Sequence, residues 1–257
     1  MPLTKIQVEI LRLLAAGRDP ESYVAGATPL NCEAPRYSGD IDLFHSHEQR
    51  LADAAAKDTQ TLEAAGYSVR WIRRLPTMYT AEIGGSEGTT RLEWVVDSDY
   101  RFFPIVKDEL FGYVLHRVDR ATDKVMAAAG RREVRDIVDL VTVHETVLPL
   151  GAAIWAAVEK SPGYTPEGLI AEIRRNSHYS AAEWRAVSAV EPIDPSAVLA
   201  KLRIALDEAE AFVARMPSEK LGLLFLENGR VVQPDPDRLD SYQTHAGQVR
   251  GHWPTSD

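Results

Sequence analysis

Two aspartates separated by one residue, Asp40 and Asp42, have a spacing that suggests metal chemistry. The surrounding residues 39–45 alternate polar and apolar side chains, which predicts a β-strand. Alternate side chains of a strand share a face, so both carboxylates point one way while Ile41 and Leu43 point the other. Carboxylate oxygens are the ligands that Mg²⁺ prefers. The alternative is a pair of solvated aspartates on an edge strand.

A glycine turn precedes this acidic strand. Residues 22–25 are short and β-prone, and Gly26 follows them. Glycine lets backbone amides approach a phosphate, and a helix beginning after Thr28 would favour negative charge at its N-terminus. The order of strand, glycine turn, helix start and acidic strand therefore predicts a phosphate site beside a metal site.

Two stretches of this segment resemble a known family. Residues 26–31 read GATPLN, and residues 36–43 read RYSGDIDL. They are similar to the glycine turn and the R-x-S-x-D-I-D-L strand of polymerase-β-like nucleotidyltransferases, specifically the AbiEii type of nucleotidyltransferase toxin. Ala27 stands where that family has its second glycine, and Pro29 stands where alanine is usual. Both departures make the phosphate turn stiffer.

This resemblance implies roles for individual residues. The metal ligands would be Asp40 and Asp42. Ser38 would orient the acidic strand beside the nucleotide. The implied nucleotide-binding set is Gly26, Ala27, Thr28 and Ser38, with Lys124 from the second match described below.

A third carboxylate belongs to the family pattern, on a neighbouring strand. Residues 91–95, RLEWV, resemble the strand that supplies it, and Glu93 is the candidate. Leu92 and Trp94 alternate toward a core, which leaves Glu93 and Asp97 on the other face. Asp97, nearer the strand end, is the alternative third ligand. The non-catalytic alternative for Glu93 is a cross-strand ion pair with an arginine such as Arg70 or Arg73.

A second match lies further along the chain, in the segments DKVMAA and RDIVDL. These segments resemble two successive helices of the family. The resemblance implies that Lys124 neutralises triphosphate charge and that Asp136 or Asp139 lies in the active-site cleft, with Asp136 as the first choice. Three residues separate the two aspartates, so they share one helix face. Surface ion pairs with arginines of the same helix are the alternative.

The elements that position these residues divide the chain into two parts. Thr4 is a typical N-cap for a helix that ends at Gly17, and residues 46–65 have helical composition. Three β-rich runs follow, at residues 67–74, 78–83 and 89–96. Beyond Pro104 the pattern becomes helical, at residues 120–129, 132–147, 150–160, 165–176, 180–189 and 195–215.

The last part of the chain predicts a hairpin, because Asn228 and Gly229 separate two apolar runs. Residues beyond Pro234 are expected to form a loose polar tail. The resulting fold class is α+β. We expect a polymerase-β-like nucleotidyltransferase domain with a mixed sheet at residues 1–115, a helical domain closing one side of a cleft at 116–216, and the hairpin and tail at 217–257.

Composition limits the classes of function. With 29 basic and 38 acidic residues the formal charge is −9, which argues against bulk adhesion to nucleic acid. The segment from Arg101 to Arg135, however, contains eight basic residues and five acidic ones. One cysteine, Cys32, excludes an intramolecular disulfide and favours a reducing compartment. No apolar run is long enough for a membrane span, so we expect a cytoplasmic protein without a membrane partner.

The resemblance implies metal-dependent transfer of a nucleotidyl group from a nucleoside triphosphate to an acceptor hydroxyl, with Mg²⁺ as cofactor. It also implies a toxin of a toxin–antitoxin system, with RNA as the acceptor and an antitoxin protein encoded nearby as a partner. The alternatives are a small-molecule nucleotidyltransferase and a catalytically weak protein that binds a nucleotide or a partner.

An RNA acceptor would need a basic track. The arginine elbow, as we call the basic residues around the first predicted helices of the second half, is the stretch that could supply it. Ion pairing with nearby aspartates is the alternative. The elbow consists of Arg117, Arg120, Arg131, Arg132 and Arg135.

Overall fold

The computed structural model describes residues 2–32 and 34–255. The chain forms two compact units. The first contains the described residues up to Asp99 together with Pro104–His116, and the second contains Tyr100–Phe103 and the described residues from Arg117 onward. Among the described residues no single helix is long and apolar enough to cross a membrane. One bent pair of helical segments, Val134–Thr146 with Leu150–Lys160, reaches the required length and apolar composition only when the two are taken together.

Eight α-helices and twelve strands are present in the described part of the chain. The helices are α1 (Lys5–Ala15), α2 (Glu48–Ala64), α3 (Arg117–Gly130), α4 (Val134–Thr146), α5 (Leu150–Ala157), α6 (Pro166–Asn176), α7 (Ala181–Arg185) and α8 (Pro195–Val213). The strands are β1 (Ser22–Val24), β2 (Asp40–His45), β3 (Ser68–Leu75), β4 (Met78–Gly85), β5 (Gly88–Val96), β6 (Tyr100–Arg101), β7 (Val106–Asp108), β8 (Gly112–Val114), β9 (Leu224–Glu227), β10 (Arg230–Val232), β11 (Gln243–His245) and β12 (Gln248–Val249).

The first unit is built on a mixed seven-stranded sheet in the order β3-β4-β5-β2-β1-β8-β7. Strands β3, β4 and β5 form an antiparallel meander, and β5 then pairs in parallel with β2. Strand β1 pairs antiparallel with β2 and parallel with β8. Strand β3 is therefore an edge strand, and β2 and β5 lie in the middle of the sheet.

Helices α1 and α2 pack on one face of this sheet. The N-terminus of α1 forms a capping box in which the Thr4 hydroxyl accepts from the Gln7 amide, which confirms the predicted cap. Alternate side chains of β2 and β5 point into this layer, where Ile41 and Trp94 are fully buried. Burying one such side chain stabilises the fold by roughly 1.5–3 kcal/mol. Asp40, Asp42 and Glu93 of the same two strands consequently lie on the other face.

A buried ion pair links this core to α2. The Asp58 carboxylate pairs with the Arg18 guanidinium and accepts a hydrogen bond of 2.8 Å from the Trp94 indole N–H. Arg18 also donates to the Ser22 hydroxyl at 2.9 Å. Burial raises the pKa of Asp58. Hydrogen bonds to both carboxylate oxygens offset the cost of burying the charge.

The second unit is mainly helical and also contains two small sheets. The segment 100–103 is held here because the Asp119 carboxylate of α3 accepts from the Phe102 and Phe103 amides at 2.8 and 3.0 Å. A hairpin joins β9 to β10 through Asn228 and Gly229, both with positive φ, as the sequence predicts.

The expected loose tail is wrong for part of its length. Strand β11 pairs with β9, and β12 pairs with β6. His245 of β11 is buried, and its ring bonds the Phe102 carbonyl at 2.8 Å. The polar composition of this segment predicts a tail because it does not show that a few positions, such as His245, are buried and fix the segment in place.

Candidate metal and nucleotide site

Three carboxylates meet on the polar face of the central strands. Asp42 of β2 lies directly opposite Glu93 of β5 in the parallel ladder, and Asp40 precedes Asp42 by two residues. One carboxylate oxygen of each residue lies within 4.8 Å of the others, and all three residues are half-buried. We call these residues the acidic trio. An all-oxygen donor set that is open to solvent suits a divalent cation such as Mg²⁺.

The geometry of the trio distinguishes between the two candidates for the third carboxylate, Glu93 and Asp97. Strand β5 ends at Val96, so Asp97 follows the strand. Four residues of extended chain place Asp97 roughly 13 Å beyond Glu93. The structure thus brings Glu93 to the two aspartates and gives no such grouping for Asp97 among the described residues.

Gly26 makes room for the Asp42 carboxylate. The Ala25 amide donates to the Asp42 carbonyl at 3.1 Å, which continues the β1–β2 pairing and brings the turn against the trio. Gly26 has φ +63°, and a Cβ added there would lie 2.8 Å from Asp42 Cγ. Such a contact is too close for two carbon atoms. The sequence predicts a phosphate turn at Gly26, whereas the structure shows a steric requirement for glycine next to the Asp42 carboxylate.

Two buried hydroxyls hold the strand that carries Asp40. Thr28 Oγ1 and Ser38 Oγ donate to the Asp40 carbonyl at 2.9 and 2.8 Å. With its side-chain oxygen turned toward them, buried Asn31 accepts from the Ser38 amide and from Arg36, both at 3.2 Å. These residues of the matched motif therefore fix the backbone beside the trio.

The expected helix start after Thr28 is wrong. Leu30–Cys32 forms a single 3₁₀ turn of three residues. Thr28 is fully buried and Ala27 is nearly so. Pro29 precedes this turn, and a turn of this length lacks the aligned peptide dipoles that a longer helix offers to an anion.

The second unit contains a separate cluster of charged residues between α3 and α4. Lys124 Nζ lies 2.6 Å from Asp139 Oδ2 and 3.7 Å from Asp136 Oδ1. Arg131 donates to both oxygens of Asp136, at 2.7 and 3.0 Å. Both aspartates are fully buried, and Lys124 is buried as well. We call these four residues the lysine cluster. Both aspartates contact Lys124, so the structure does not single out Asp136.

Three members of the arginine elbow are engaged inside the second unit. Arg131 is held by the lysine cluster, and Arg117 donates to the Thr146 carbonyl at 2.6 Å. Arg132 pairs with Glu183 at 2.6 Å and lowers the pKa of that carboxyl to about 2. The pairing of Arg131 with Asp136 is the ion pair with an aspartate that the alternative expects, whereas Arg117 is held by a carbonyl and Arg132 by a glutamate.

Sequence reasoning did not single out Arg91, which lies with Arg73 on the face of the sheet that carries the trio. Cross-strand partners share a face, so the register continues from Glu93 through Thr80 to Arg73 of β3. The adjacent row runs from Asp40 through Arg91 and Glu82 to Arg70. Strand parity gives Arg91 the face of Glu93, but the long-range register that places Arg73 there cannot be read from the sequence.

Comparison with solved structures identifies the architecture. No protein-family model matches the chain, and no curated protein matches it either. MenT4, a nucleotidyltransferase toxin from Mycobacterium tuberculosis, superimposes with a TM-score of 0.51 at 12% identity, covering 83% of both chains. The chain has a nucleotidyltransferase fold. This finding confirms the predicted α+β class and, at the level of fold, the resemblance to nucleotidyltransferases.

Two further solved structures are similar to this nucleotidyltransferase fold with lower scores. A candidate nucleotidyltransferase from H. pylori has a TM-score of 0.47 at 14% identity, covering 82% of this chain and 93% of the other. The Cid1 poly(U) polymerase has a TM-score of 0.31 at 11% identity, covering 93% of this chain and 73% of the other. We base the fold assignment on MenT4, since its TM-score exceeds 0.5.

Proposed function

We propose that the chain is a metal-dependent nucleotidyltransferase that moves a nucleotidyl group from a nucleoside triphosphate to an acceptor hydroxyl. The observation that carries this proposal is the acidic trio, placed by the β2–β5 register on a nucleotidyltransferase fold. The donor set fits the implied cation, because three carboxylates converge where water can complete the coordination.

In the proposed reaction, the acceptor oxygen bonds to the α-phosphorus as the bond from that phosphorus to the bridging oxygen breaks. Pyrophosphate leaves, and the acceptor gives up its hydroxyl proton. When bound, Mg²⁺ neutralises charge on the triphosphate and on the departing pyrophosphate. Asp40 and Asp42 hold the ion, and Glu93 either completes the ligand set or takes the proton.

The remaining residues have supporting roles in the proposal. Thr28 and Ser38 orient Asp40 through its carbonyl, and Gly26 with Ala27 forms the turn that borders the nucleotide. Lys124 contributes positive charge for the triphosphate, and Asp136 and Asp139 orient its ammonium group. Burial of Lys124 between two aspartates supports a fixed position for that charge.

We also propose RNA as the acceptor and a toxin role, with an antitoxin protein encoded nearby as partner. The similarity to MenT4, which is named as a nucleotidyltransferase toxin, supports the toxin role. We place the activity in the cytoplasm, where nucleoside triphosphates and RNA meet. Growth arrest on expression, abolished by Asp42→Asn, is the expected phenotype.

A labelling experiment tests the proposed reaction. The purified chain is incubated with each α-labelled nucleoside triphosphate, Mg²⁺ and total cellular RNA. We expect labelled RNA with the wild type and none with Asp42→Asn. Asp53→Asn is the matched control, since it removes an exposed carboxylate from α2, the helix on the other face of the sheet. Label on a small acceptor favours the small-molecule alternative, and no transfer with any triphosphate contradicts the proposal.

A further inference from the structure

Arg91 and Arg73 extend the trio's face of the sheet toward its edge. Arg91 lies on β5 opposite Asp40, and Arg73 lies on edge strand β3 in the row of Glu93. Strand spacings of about 4.8 Å place the Arg73 backbone roughly 10 Å from that of Glu93 and roughly 14 Å from that of Asp42. The two arginines thus lie in neighbouring rows on the trio's face, with Arg91 beside the trio and Arg73 at the sheet edge.

Both arginines are available to an outside anion. Each is exposed, and the side chain of neither makes an ion pair or hydrogen bond with the described residues. The neighbouring Arg70 differs, since it bonds the Glu82 carboxylate at 2.8 and 3.1 Å. Arginine is suited to phosphate because its planar fork can donate two parallel hydrogen bonds.

A third row on this face is apolar. Val95 lies opposite Met78, which lies opposite Leu75. Val95 and Met78 are half-buried, and Leu75 is 46% exposed. Apolar surface alongside the two arginines suits a bound polymer that has a charged backbone and flat, weakly polar bases.

The opposite face of β3 provides an internal contrast. Arg74 is the chain neighbour of Arg73, but its register with Tyr79 places it on the helix-covered face. Its guanidinium lies 3.9 Å from the centroid of the Trp71 ring. One strand therefore presents an open arginine on the trio's face and a stacked arginine on the other.

We propose that Arg91 and Arg73 form a track for the phosphodiester backbone of a single-stranded nucleic acid acceptor, leading from the sheet edge to the trio. This inference rests on the proposed function, which it deepens by assigning the surface that binds the acceptor. Two arginines at increasing distance from the trio suit the repeating phosphates of a nucleic acid strand better than the irregular charges of an acidic protein. A net charge of −9 on the chain confines such binding to this track.

Binding of a short single-stranded RNA of mixed sequence, measured over a salt series without nucleotide, tests the track. Each lost phosphate contact flattens the log–log salt slope by about 0.7, so Arg73→Ala with Arg91→Ala lowers the slope by about 1.4. Arg74→Ala is the matched control and keeps the wild-type slope. Arg73→Lys with Arg91→Lys retains most of the slope, because lysine preserves the charge. Thermal unfolding verifies that each variant is folded.

Four results would overturn the inference: an unchanged slope in the double alanine variant, an equal loss in Arg74→Ala, no RNA binding by the wild type at low salt, or tighter binding of polyglutamate than of RNA. The transfer assay separates this inference from the proposed function. Transfer with an unchanged slope rejects the track alone. A reduced slope without transfer by the wild type rejects the enzyme and leaves the track as a binding surface.

Discussion

The two compact units each gather carboxylates, but in different surroundings. The acidic trio of the first unit is half-buried and presents three carboxylate oxygens to one another on a sheet face. The lysine cluster of the second unit is buried, and its aspartates contact Lys124 and Arg131 from the chain itself. Burial accounts for the difference, because a buried carboxylate needs a fixed partner whereas a half-exposed group can exchange an ion with solvent.

The comparison also shows which cluster the fold depends on. Like charges brought close together repel, so the trio lowers the stability of the fold locally. A functional role explains why the chain carries it. Opposite charges in the lysine cluster compensate one another, so that cluster stabilises the packing of α3 on α4 once it is formed. Substitutions in the trio should therefore lower activity without lowering stability, whereas substitutions in the lysine cluster should lower stability as well as activity.

The largest expected effect is on activity in the trio. Asp42→Asn should lower kcat for nucleotidyl transfer by about 10³-fold or more, because the metal contributes several kcal/mol of transition-state stabilisation. The melting temperature should stay the same or rise, since a repelling charge is removed. Transfer assays and thermal unfolding on the same preparations check both parts. Wild-type turnover in the variant, or a large fall in melting temperature, would reverse the assignment.

Substitutions in the lysine cluster should lower stability, an effect that is not expected in the trio. Asp139→Asn removes the carboxylate that lies 2.6 Å from Lys124 Nζ and should lower the free energy of unfolding by about 3–5 kcal/mol. Denaturant unfolding measures this loss. Lys124→Met combined with Asp139→Leu should recover much of it, because apolar side chains of similar volume replace the buried pair. A single variant as stable as the wild type would show that the cluster is not structural.

The trio could be anticipated because strand parity is local. Asp40 and Asp42 share a face whatever strand lies next to them. The same parity puts Glu93 and its chain neighbour Trp94 on different faces of the sheet. The choice between Glu93 and Asp97 needs the register between β2 and β5, which a helix and a hairpin separate in the chain. That register depends on tertiary packing, so the sequence left both carboxylates open.

The role of the glycine turn and the pairing of the basic residues could not be predicted from local sequence in the same way. Gly26 has the residue type of a phosphate turn, but its contact with Asp42 follows from the pairing of β1 with β2. Arg132 belongs to a stretch of the chain with excess positive charge, yet its partner Glu183 comes from α7, far along the sequence. Local charge density does not report whether distant residues have already neutralised a charge.

A medium effect is expected where the turn meets the trio. Gly26→Ala forces a Cβ toward Asp42 Cγ and should lower transfer activity by about 10- to 100-fold, the order expected when a catalytic group is displaced by about 1 Å. Gly66→Ala is the matched control, since Gly66 has φ +87° and open space around the added Cβ. Each variant should lose about 1 kcal/mol of stability from its left-handed backbone. Equal activity in the two variants would remove the steric role of Gly26.

The smallest expected effect extends the comparison from carboxylates to arginines. Arg117→Ala with Arg132→Ala removes two positive charges from the elbow, as many as Arg73→Ala with Arg91→Ala removes from the sheet. Both elbow residues already have partners, the Thr146 carbonyl and the Glu183 carboxylate, so removing them should leave the salt slope of RNA binding unchanged.

Measuring the two double variants in parallel decides whether total charge or available charge governs binding. If total charge governed it, both pairs would flatten the slope equally, because each removes the same charge from the chain. If available charge governs it, the sheet pair alone flattens the slope, by about 0.7 per contact. A larger effect from the elbow pair would return the acceptor track to the second unit and would show that Arg132 exchanges Glu183 for a phosphate when RNA binds.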